Sequence, residues 1–110
     1  MPETLTFELA TPHQRHQTHP DYDWLNIDRD GVRVGKVRGL INGRVLTICS
    51  INIFPEFERR GFARKTIDVF KQSFDTIIAD RVRHTAVGFW ETMGFDADRK
   101  GNYVWRNGYR

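Results

Sequence analysis

The stretch that most constrains this chain is residues 45–54, Val-Leu-Thr-Ile-Cys-Ser-Ile-Asn-Ile-Phe, stopped by Pro55. It is the most apolar strand-like run in the sequence, and such a strand belongs at the centre of a sheet. Pro55 ends it, because proline cannot donate to a strand ladder. Gly61 then opens a helical pattern over residues 62–74, with Phe62, Ala63, Thr66, Ile67, Val69, Phe70 and Phe74 at helical spacing. The short apolar run Thr76, Ile77, Ile78, Ala79 reads as a second buried strand. Strand, helix and strand make a βαβ unit, and the rest of the chain has to be built around it.

Upstream, Leu5, Thr6, Phe7, Glu8 and Leu9 alternate as a half-buried strand does. Residues 11–23 are polar, with two prolines, and read as a loop. His13, His16 and His19 fall three apart in that loop, but no cysteine or acidic pair completes a metal site, so none is predicted. Residues 24–27 and 32–38 read as strands joined by the Asp30-Gly31 turn, and Asn42-Gly43 signals another turn before the central strand. Downstream, residues 84–93 read as a second helix with Ala86, Val87, Phe89, Trp90 and Met93 near one face, stopped by Gly94. Phe95 and residues 102–106 form a closing strand around the Lys100-Gly101-Asn102 turn. The expected fold is mixed α/β: a mostly antiparallel sheet with a βαβ unit, in a single domain over residues 1–110.

Composition bounds the function. With 13% aromatic residues the chain can fill a core despite its 110 residues, which argues against disorder. The net charge of +3 fits equally a solvated basic surface or an anionic partner: nucleic acid, nucleotide or a coenzyme phosphate. Cys49 is the sole cysteine, so no intrachain disulfide forms. Residues 1–10 lack the basic and apolar parts of a signal peptide, and no apolar run approaches bilayer length. The sequence therefore predicts a cytoplasmic protein with no membrane partner.

The chemistry sits where the central strand meets the helix. The first turn of a helix carries unpaired N–H groups and a positive dipole end, which together bind phosphate. Gly61 lets the backbone approach an anion, and Arg59, Arg60, Arg64 and Lys65 surround the loop with positive charge. A pyrophosphate site is the physical expectation. Neither standard nucleotide fingerprint is present.

The run Pro55-Glu56-Phe57-Glu58-Arg59-Arg60-Gly61-Phe62-Ala63 resembles the signature of the GNAT N-acetyltransferases, in which Gln or Arg precedes x-x-G-x-Gly/Ala after an apolar strand. Ala86-Val87-Gly88-Phe89-Trp90-Glu91-Thr92-Met93-Gly94-Phe95 resembles the same family's A-x-x-F-Y-x-x-x-G-F helix. The two matches come in the family's order and cover roughly the C-terminal half. The resemblance implies a GNAT-like fold that binds acetyl-CoA and passes its acetyl group to an amine by direct attack. The acceptor is a small molecule or a protein, and the protein a monomer or homodimer. The implied cofactor contacts are the backbone of Ile51, Asn52 and Ile53, the loop of Arg59, Arg60, Gly61, Phe62, Ala63 and Arg64, and Phe89 and Trp90.

Four positions depart from the family pattern. Glu58 replaces its Gln or Arg, Trp90 replaces a tyrosine that protonates the leaving thiolate, and Thr47 and Ile78 occupy the places where many members hold a glutamate base. Indole cannot titrate. His84, Asp80 and Glu91 are the candidates to move the proton, the alternative being an amine that arrives neutral and needs only positioning. Two other readings stand beside the enzyme. One is a catalytically silent acyl-CoA-binding or protein-interaction module on the same fold. The less favoured one is a small basic nucleic-acid-binding domain, suggested by the aromatic and basic pairs of residues 103–109.

Overall fold

The computed structural model describes residues 5–9 and 22–108. His13, His16, His19 and Tyr109 lie outside these residues. Four antiparallel strands run in sequence: β1 (Leu5–Leu9), β2 (Asp23–Arg29), β3 (Val32–Asn42) and β4 (Val45–Ile53). A 3-10 turn (Pro55–Phe57) leads to helix α1 (Phe62–Ser73), then β5 (Thr76–Ala79). A second 3-10 turn (His84–Ala86) leads to helix α2 (Val87–Thr92), and β6 (Asp96–Ala97) and β7 (Tyr103–Arg106) close the sheet. The sheet order is β1-β2-β3-β4-β5-β7-β6, and only β4 and β5 pair in parallel among the described residues. That pair flanks α1, so the expected βαβ unit lies at the centre of a mostly antiparallel sheet.

The turns follow from the backbone each residue tolerates. Asp30 and Gly31 both have positive φ, 49° and 86°, as a two-residue hairpin turn demands. At the next turn Gly43 takes φ 60°, so the turn sits on Gly43 and Arg44, one residue beyond the Asn42-Gly43 signal. Arg44 there forms a two-pronged ion pair with Asp75 (3.0 and 3.1 Å), tying the β3–β4 turn to the start of β5.

The core lies under α1. Phe62, Thr66, Ile67 and Phe70 recur on one helical face and are buried. They meet Leu25, Ile27, Val34, Val37, Leu46, Ile48 and Ile77 from the strands. The second helix is shorter than the sequence reading over 84–93, because its first turn is 3-10 and the α-helix begins at Val87. Trp90 anchors it, with ring centroids 5.1 Å from Phe89 and 4.9 Å from Phe95. Among the described residues no helix is long and apolar enough to cross a membrane, and no three His, Cys, Asp or Glu groups cluster to hold a metal.

The central strand is not uniform. On β3, Gly39 pairs with Ile48 but Arg38 pairs with Ser50, so Cys49 is an extra residue, a β-bulge. The bulge reverses the side-chain parity. Leu46 and Ile48 enter the core before it, Ile51 and Ile53 pack against the core after it, and Ser50 and Asn52 are exposed. Gly39 makes the bulge possible: a Cβ there would run into the Thr47 carbonyl oxygen. Gly39→Ala is therefore expected to lower stability by about 1–3 kcal/mol through overpacking. Gly88→Ala, on α2 with nothing within 4 Å of its Cβ, should be neutral or slightly stabilising. Urea midpoints of the two variants decide the point; equal midpoints would remove the role given to Gly39.

Candidate functional site

The site grows out of the seam between β4 and β5. The two strands pair only from Val45 with Thr76 to Ile48 with Ala79. The Asp80 N–H donates to the Ile48 carbonyl oxygen at 2.9 Å, next beyond that register. There β5 ends, and Arg81 takes φ 46° as the chain turns away. β4 bends at the Cys49 bulge and continues to Ile53, paired with β3 alone. The β4 edge and the chain that leaves the seam after β5 therefore bound a V-shaped opening, and among the described residues no strand lies beside the β4 edge over residues 49–53. An open strand edge is a ready acceptor for an extended guest, which adds to the sheet by main-chain hydrogen bonds.

One face of the V opens on the N-terminus of α1. Phe57 N–H to Phe54 O (2.8 Å) and Glu58 N–H to Pro55 O (3.3 Å) fold the loop back. Arg59 and Gly61 then take left-handed φ values of 64° and 80°. The first helical bond is Lys65 N–H to Gly61 O at 3.0 Å, and the Gly61 cap offers no side chain to the helix end. The amides of Phe62, Ala63 and Arg64 thus precede the ladder and carry the positive end of the dipole. A cleft of about 480 Å³ lies against them, lined by the loop from Phe57 to Arg64 without Arg60, and by Ile53 and Phe89. Arg59 and Arg64 line it and Glu58 does too, so the net side-chain charge at its wall is positive. Arg60 sits over the Phe57 ring (5.8 Å) and Lys65 over the Phe62 ring (5.6 Å) instead.

A second cleft of about 450 Å³ lies around the bulge, between Arg38, Cys49, Ser50 and Asn52 on one wall and Asp80, Arg81, Arg83 and Trp90 on the other. α2 separates the two clefts: Phe89 lines the first and Trp90 the second. Asp80 pairs with Arg81 at 3.5 Å. The Cys49 thiol is pushed above its ordinary pKa, first by burial and then by the Asp80 carboxylate, against the pull of Arg38 and Arg81. Cys49 is therefore a neutral thiol and a poor nucleophile.

The three proton-moving candidates separate here. Asp80 lines the second cleft. His84 is exposed in its 3-10 turn, and Glu91 is exposed on α2; neither lines the V or the helix end. Thr47 and Ile78 are register partners inside the paired part of the seam, below the opening. The sequence reading passed over Arg38, Ser50, Arg81 and Arg83, which separate segments bring together. One signal was present: the apolar alternation of β4 breaks at Cys49 and Ser50, which is how a bulge looks in sequence.

No protein-family model matches the chain, and no curated protein sequence does. Solved structures do. The E. coli protein YhhK, bound to coenzyme A, superimposes with a TM-score of 0.67 over 97% of this chain and 100% of its own, at 15% identity. A GNAT family acetyltransferase from Elizabethkingia anophelis with acetyl-CoA bound gives 0.63 over 94% and 98%, at 9% identity. An acetyltransferase from Thermus thermophilus gives 0.64 over 86% and 70%, at 17% identity. The chain has the fold of the GNAT acetyltransferases.

Proposed function

We propose that this protein is an acetyl-CoA-dependent N-acetyltransferase. The observation that carries the reading is the V: an unpaired β4 edge leading to an uncapped, cation-flanked helix N-terminus. The two parts suit the two ends of coenzyme A. The edge over Ile51 and Ile53 takes an extended amide-bearing arm. The amides of Phe62, Ala63 and Arg64, with the Arg59 and Arg64 side chains, take a pyrophosphate. Glu58 opposes that charge, and the two arginines outweigh it. That similar folds hold coenzyme A or acetyl-CoA supports the fit.

Bound there, acetyl-CoA supplies a thioester carbonyl whose C–S bond breaks as an acceptor nitrogen forms the C–N bond. Asp80, within the second cleft, takes the proton that the amine loses, directly or through one water. Trp90 packs at the mouth of the V and excludes water from the thioester side. It offers no acid, and little acid is needed: a free thiol titrates near about 8.5, so the departing thiolate is a good leaving group that water can protonate. Cys49 stays a neutral wall residue.

The placement of Thr47 and Ile78 inside the paired seam, with Trp90 beside the opening, favours a second reading: a module that binds acyl-CoA without turnover. Calorimetric titration with acetyl-CoA, followed by a thiol-release assay with an amine panel, separates the two. Micromolar binding with amine-dependent thiol release is expected. Binding without release from any amine leaves the silent module, and no binding removes both readings.

A further inference from the structure

We infer that the acceptor is a small amine carrying an anionic group close to its nitrogen, of the α-amino acid type, and not a polycation. This rests on the acetyltransferase reading and extends it to the other substrate.

The second cleft has an unbalanced charge. Arg38, Arg81 and Arg83 line it against one carboxylate among the described residues, Asp80. Asp80 is already paired with Arg81 at 3.5 Å. Arg38 is set apart by its position. It lies on β3 opposite Ser50, at the bulge, with its guanidinium 4.9 Å from the Tyr22 ring. Its Nε is buried and has no hydrogen-bond partner among the described residues. A buried guanidinium N–H without an acceptor is costly, and because the Nε has no open surface an oxyanion in the cleft that Arg38 lines can meet only its terminal N–H groups, for which a carboxylate or phosphate oxygen is the matching ligand. Lys36, two residues along the same face of β3, adds positive charge over the Trp24 ring at 5.3 Å. A polyamine or aminoglycoside brings several cations into this cleft and is repelled. An amino acid brings one carboxylate for Arg38 and one amine for Asp80, and unlike a polycation it adds no net positive charge to the cleft.

The test uses four acceptors with acetyl-CoA: an α-amino acid, its carboxamide, an aminoalkyl phosphonate and spermidine. Acetylation of the acids at least about 100-fold better than the carboxamide or spermidine, by kcat/KM, is expected. The phosphonate arm tells carboxylate recognition from general anion recognition. In Arg38→Gln the preference for the acid over its carboxamide should fall about tenfold or more, expressed in KM, and Arg38→Lys should restore part of it. A product arm keeps the inference apart from the enzymatic reading: an N-acetyl amino acid, titrated with coenzyme A present, should bind the protein and lose affinity in Arg38→Gln. If thiol release fails with every amine but this binding survives, the anion site stands and the transferase reading falls. Preference for spermidine or the carboxamide, or product binding indifferent to Arg38→Gln, overturns the inference.

Discussion

Gly61→Asp should abolish acetyl-CoA binding while leaving the chain folded. Gly61 has φ 80° and ψ 14°, a conformation that aspartate tolerates better than most residues. Its Cβ would meet nothing within 4 Å, so the strain amounts to about 1 kcal/mol. The new carboxylate would even favour α1, since negative charge at a helix N-terminus is stabilising. The same charge takes up the amides and the dipole field that a pyrophosphate needs. A loss of about 100-fold or more in affinity is expected, roughly 2.7 kcal/mol. Gly61→Asn, similar in size and uncharged, should lose far less. Calorimetry on all three proteins, with thermal melts as the folding control, measures this. An Asp variant that binds within about threefold of the parent would remove the helix end from the site.

The second large effect concerns Asp80. Asp80→Asn keeps the backbone N–H that bonds Ile48 and keeps the side-chain shape, so the V survives. It removes the one carboxylate that lines the second cleft among the described residues. kcat should fall about 10²- to 10⁴-fold with KM for acetyl-CoA nearly constant. An independent readout comes from Cys49. The Asp80 charge is one cause of its raised pKa, so in Asp80→Asn the thiol should ionise at lower pH. The pH profile of Cys49 alkylation by a small reagent reports that shift. Full kcat together with a shifted alkylation profile would place Asp80 in the cleft but outside the chemistry.

Much of the fold was legible because its signals are local. Asp30-Gly31, the apolar face of α1 and the proline after β4 each act within a few residues, and each produced the expected element. Gly61 ahead of α1 was legible for the same reason, whereas Arg60 and Lys65, expected around the loop, lie over the Phe57 and Phe62 rings. The second cleft was not. Arg38, Cys49, Asp80, Arg83 and Trp90 come from separate segments, and only the register of β3 on β4 and the parting of β4 from β5 brings them together. His84 stood at the start of an expected helix over 84–93, but a 3-10 turn occupies that start and leaves His84 in solvent. β6 was legible only through its turn: the sequence puts Phe95 in the closing strand, but the paired residues are Asp96 and Ala97, which have little strand preference and pair because the Lys100-Gly101 turn returns β7 beside them.

The shortness of the β4–β5 seam has a further consequence. Four residues from each strand join β1–β4 to the trio of β5, β7 and β6. An extended guest laid in the V would supply main-chain bonds that the protein itself omits, lengthening that junction. Such a guest would act as a removable strand, so the rigidity of the whole sheet would follow how much of the protein carries it.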